Sequence, residues 1–169
     1  QKEENSKIIT IEQEKIDKDV ITITDKSYET RIENALYLVL DRDNAVITSE
    51  LSSNEGNNTN KTSNIKGEWA KSTKTLYRKG RIVIAQLHGH PKSTSDLVTE
   101  SKASPIDASV AQQYHLPIYA IDALKSRSGK QAVIHRANPN GAIENKIGYT
   151  SGKGRNPVFD IVRDAINRR

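Results

Sequence analysis

Apolar residues recur along this chain with two different spacings. Tyr28, Ile32, Ala35, Leu36, Val39 and Leu40 fall at i, i+4, i+7, i+8, i+11 and i+12. That stripe predicts an amphipathic helix from Lys26 to Leu40, capped by Asp25 or Ser27 and ended by the turn Asp41-Arg-Asp-Asn44. Upstream, the β-branched runs Lys7–Glu12 and Asp19–Thr24 read as short strands, a hairpin or part of a linker. Residues 1–25 are therefore expected to be linker or short strands, and residues 26–169 the folded domain.

Further along, strands and helices alternate. Ala45–Leu51 is a candidate strand, and Ser52–Asn64 is a polar loop dense in Ser, Asn, Thr and Gly. Trp69, the only tryptophan, is expected to anchor the loop's return. Thr73–Leu76 and Arg81–Leu87 bracket the turn Arg78-Lys-Gly80 and predict a hairpin. A helix over Ser104–Tyr114 leads to strands His115–Asp122 and Lys130–His135, the turn Asn138-Pro-Asn-Gly141 and a glycine-rich loop over Gly148–Pro157. A short helix over Val158–Ile166 follows. The order predicts an α/β fold with a central mixed β-sheet flanked by helices.

Composition narrows the class. The chain has 169 residues, 34% of them hydrophobic and only 5% aromatic, so its core must be aliphatic. No cysteine is present, which excludes disulfides and thiolate ligands. No methionine is present either, and the expectation is a processed product or an excised module. No transmembrane run and no signal-peptide core is visible.

The net charge of +5 is unevenly spread. Residues 1–30 carry five basic against eight acidic side chains, residues 125–169 ten against three. Such a basic region suits nucleic acid, an anionic membrane or an acidic protein partner, but no aromatics interleave it as a nucleic-acid stacking platform requires. Gly152-x-Gly154 lacks both a preceding buried strand and a Gly-Lys-Ser/Thr ending, so it is no phosphate loop.

The candidate chemistry lies at His88-Gly89-His90-Pro91, where the apolar run Arg81–Leu87 ends. Residues i and i+2 of a strand point to one side, so both imidazoles can reach one point. Gly89 lets the backbone bend closely there, and Pro91 stops the strand. Asp107 follows within Ser104-Pro-Ile-Asp107, a helix start. Two histidines and an aspartate leave a fourth tetrahedral position for water, the arrangement of a hydrolytic zinc site. His115 and His135 read as structural. A Ser104–His115–Asp122 triad is the remote alternative, with no nucleophile elbow to support it.

His88-x-His90 followed by Ser104-x-x-Asp107 resembles the signature of the JAMM (MPN, JAB) metalloprotease superfamily, most closely the JAB-like domains at the C-termini of bacterial polymorphic toxins. The resemblance covers roughly residues 28–123. It implies a JAMM/MPN-like, cytidine-deaminase-like architecture and a Zn2+-dependent hydrolase that cleaves a peptide or isopeptide bond. His88, His90 and Asp107 would be the metal ligands, and Ser104 would stabilise the oxyanion. The spacer from Pro91 to Ala103 is longer than the family's, which keeps Ser93-x-x-Asp96 as an alternative source of the third ligand.

The family's general base is a glutamate upstream of the histidines, after the first helix. Glu50 matches that description, with Glu55 and Glu68 as competitors. The resemblance further implies a toxin module, secreted or delivered into a target cell within a larger protein. Its partners would be a protein or peptide substrate and an immunity protein. Two other readings stand beside it: a non-catalytic module that binds an acidic partner, and a metal-dependent nuclease.

Overall fold

The computed structural model describes residues 8–30, 32–52, 65–90, 103–123, 132–149 and 162–163. These form two helices and a mixed, open sheet of nine strands. β1 (Thr10–Ile11) precedes α1 (Gln13–Thr30), β2 (Asn34–Asp41) and β3 (Val46–Ser52). β4 (Glu68–Ala70), β5 (Thr75–Arg78) and β6 (Arg81–Gly89) come next. Then follow α2 (Pro105–Tyr114), β7 (Ile118–Ala123), β8 (Ala132–Ala137) and β9 (Ile143–Tyr149). The strand order is β1-β3-β2-β6-β7-β8-β9, with β5 on the first residues of β6 and β4 outside it. β6 and β7 run parallel across the connection that contains α2; β2 and β6 are antiparallel.

The first third of the chain departs from its periodicity. Residues 13–30 are one helix, where a strand over Asp19–Thr24 was expected, and residues 34–41 are a strand, where a helix to Leu40 was expected. The expected boundary at residue 25 falls inside α1, whose Ile16, Val20 and Ile23 belong to the main core. Burial decides the outcome. The Val20–Thr24 run costs a helix about 2–3 kcal/mol in propensity. Burying Ile16, Val20 and Ile23 returns roughly 1.5–3 kcal/mol each. Thr22 and Thr24 accommodate the helix by donating their hydroxyls to the carbonyls of Lys18 and Val20. The helical stripe of residues 28–40 is in fact an unbroken apolar run, Ala35–Val39, buried on both faces of the sheet.

Other elements match expectation. Val46–Ser52 pairs with β2, so the Asp41–Asn44 turn closes a hairpin rather than a helix. There Asn44 donates its backbone N–H and side-chain amide to the Asp41 carboxylate. Lys79 and Gly80 have φ of 53° and 78°, as a two-residue hairpin turn requires. Trp69 lies in β4, where it packs edge-on against Tyr114 and in parallel with His115. Within the expected glycine-rich loop, Gly148–Tyr149 instead end β9. Of the expected C-terminal helix, Val162 and Arg163 are described, and Val162 is buried in the core. Nearly all of the polar Ser52–Asn64 segment lies outside the described residues.

Alternating residues of the sheet feed two cores. Leu36 and Leu38 face α1 with Ile82, Ile84, Leu87 and Ile121. Tyr37 and Val39 face α2 with Val83, Ile118, Ala120, Ala108 and Ala111. No described helix is long and apolar enough to cross a membrane.

Candidate metal centre

The α2 face of the sheet carries the site. Between Val83 and Ala85 the pairing with β2 shifts by one residue, and Ile84 is the extra one. Ile84, Ala85 and Leu87 consequently all join the α1 core. Gln86, His88 and His90 are thereby turned toward α2 and line one cleft of about 520 Å³. The residues registered with His88 on its two neighbouring strands, Ala35 and Ala120, are small enough to leave room for its ring.

Asp107 arrives from the other side. Ser104, with φ −85° and ψ 160°, caps α2, and Pro105 occupies the first turn. Ser104 Oγ accepts the Asp107 N–H at 3.1 Å, and Asp107 Oδ2 accepts the Ser104 N–H at 2.9 Å. This capping box locks the carboxylate, placing Oδ2 3.7 Å from His88 Nε2. One ligand atom from each of His88, His90 and Asp107 lies within 4.8 Å of the others. These three residues could together hold a metal ion there.

The surroundings suit a cation. Gln86 Oε1 lies 2.9 Å from His88 Nδ1. With Nδ1 donating to this oxygen, Nε2 is the ring nitrogen left for a metal. Glu33 Oε1 lies 3.8 Å from that same Nε2. Among the described lining residues are two carboxylates and neither lysine nor arginine. The N/N/O donor set fits a divalent first-row metal.

The structure brings together His88, His90, Asp107 and Ser104, as the sequence motif predicts, but not Glu50. That residue faces the α2 side two strands away, in register with Tyr37 and Gln86 rather than with His88. Arg78 and Arg81 bind its two carboxylate oxygens, and Lys79 Nζ lies 3.5 Å away. Burial raises its pKa, yet the Arg78 hydrogen bond and the three nearby cations outweigh this and hold the carboxyl below its ordinary range. Glu68 is exposed in β4, outside the cleft lining. Glu55 and Asp96 lie outside the described residues.

Sequence reasoning missed Glu33 because it fell within the expected helix. It immediately precedes Asn34, which pairs with Gly89, and so enters the cleft from the start of β2, beside the end of β6. A polar Gln86 inside a buried strand, two residues before His88, was the other available signal. His115 ends α2 in the left-handed conformation and is exposed, while His135 is buried in β8. Neither lines the cleft.

No family model matches this chain, and no curated protein or solved structure matches it either.

Proposed function

We propose that this protein is a zinc-dependent hydrolase of the JAMM type, acting on a peptide or isopeptide bond. The observation that carries the reading is the convergence of His88, His90 and Asp107 with a separate carboxylate, Glu33, in one cleft. His88, His90 and Asp107 would hold the zinc ion, which would supply Lewis acidity toward a water and the scissile carbonyl. Glu33 takes the water's proton and returns it to the leaving amine; it is the general base in place of Glu50. Ser104 uses a lone pair for its helix cap, so its O–H can donate to the carbonyl oxygen as charge develops there.

The described lining of the cleft holds two carboxylates and neither lysine nor arginine, so beyond the metal itself it offers a nucleic-acid backbone no described cation. The family resemblance extends the proposal to a toxin module within a larger secreted protein.

Elemental analysis of zinc-reconstituted protein should give about one equivalent, lost in His88→Ala and Asp107→Ala. Cleavage of a peptide and isopeptide panel should depend on that zinc. Expression inside cells should arrest growth, with His88→Ala relieving the arrest. Binding of less than about half an equivalent would sink the zinc-hydrolase reading.

A further inference from the structure

The helix that supplies Asp107 also supplies an apolar wall. Ile106, Val110 and Tyr114 lie at i, i+4 and i+8 on α2 and line the cleft, with Ile118 and Ile65 beside them. Ile106 is 72% exposed, one of the few large hydrophobics left in solvent. Together these side chains form a contiguous apolar patch beside the candidate metal centre, the kind of surface that marks a contact site. Glu33, Gln86 and the two histidines line the same cleft, so an apolar patch lies directly beside the candidate metal ligands.

From this juxtaposition we infer the substrate class: a peptide with an uncharged aliphatic side chain next to the bond that is cleaved. The inference rests on the peptide-hydrolase reading of the same cleft. An aspartate would leave its carboxylate desolvated against Ile106 and Val110. A lysine would leave its ammonium desolvated against Ile106 and Val110. A leucine, isoleucine or valine instead buries apolar area against the wall. The volume of about 520 Å³ accepts a short segment of extended peptide around that side chain.

Trp69 provides a readout that needs no turnover. Its ring meets Tyr114 edge-on, with centroids 5.7 Å apart, and Tyr114 lines the cleft. End-blocked Gly-Xaa-Gly peptides, with Xaa as Leu, Asp or Lys, are titrated into the zinc-loaded Glu33→Gln protein while tryptophan emission is followed. The Leu peptide should bind at least about ten-fold more tightly than the other two, and Ile106→Gln should cut that preference to about three-fold or less. A smaller preference, or no measurable binding of the Leu peptide, overturns the inference. So does a preference that Ile106→Gln leaves intact. Cleavage by the wild-type zinc protein without side-chain preference overturns this inference alone. Aliphatic preference in binding, with no cleavage of any peptide, overturns the hydrolase reading alone.

Discussion

Gly89 passes so close to Ser27 that a Cβ added to it would stand 2.7 Å from Ser27 Oγ and 2.9 Å from Ile23 O. The same hydroxyl oxygen accepts the N–H of Asn34 at 2.8 Å. One side chain of α1 therefore contacts both the glycine between the two imidazoles and the residue following Glu33. Gly89→Ala should cost about 1–3 kcal/mol through overpacking. The melting temperature should fall by roughly 3–10 °C, and zinc should bind more weakly. Calorimetry and a zinc titration check this; unchanged values for both would show that the close approach constrains nothing.

Glu33 and Glu50 should separate function from stability. Glu33→Gln should keep its zinc and lose about 10²-fold or more in turnover of a cleavable peptide. Glu50→Gln should keep most turnover but lose about 2 kcal/mol of stability, because Arg78 and Arg81 lose their shared anion. Zinc content, initial rates and urea midpoints on both variants decide the assignment. The opposite pattern would return the base role to Glu50.

The Glu50 cluster also sets a pH dependence. Its folded pKa lies below the ordinary glutamate value. Its contribution is thus fully present well above that pH and is lost as pH falls through the folded pKa. The stability difference between wild type and Glu50→Gln should accordingly shrink between about pH 5.5 and pH 3. Denaturant midpoints across that range test it, and a difference that grows toward acid would contradict the ion-pair account.

Gln86 holds the His88 ring through Nδ1. Gln86→Leu keeps the size of a buried side chain but removes the acceptor, and should weaken zinc affinity about 10–100-fold. Circular dichroism should stay native, since Gln86 lies within a strand paired on both sides. Competition with a chromogenic chelator measures the affinity; an unchanged value would mean that the ring orientation is set by packing alone.

Some elements are legible locally because their causes are local. The Ser104–Asp107 capping box with Pro105, the hairpin at Lys79-Gly80, and the His88-Gly-His90 end of an apolar strand each depend on a few adjacent residues. A reader of the sequence alone can place them, and with them the three candidate metal ligands and Ser104 that share the cleft.

The remainder depends on what lies across the chain. Residues 13–41 carry helix and strand signals that overlap, and the choice goes to whichever arrangement buries Ile16, Val20 and Ile23 against the Ala35–Val39 run. Glu50 looks like a base at a strand end until Arg78 and Arg81 are seen to claim it. Glu33 becomes a site residue only through the register that brings Asn34 to Gly89. The side of the sheet on which the histidines stand is set by one extra residue, Ile84, since a single-residue shift in a period-two structure turns every later side chain to the other face.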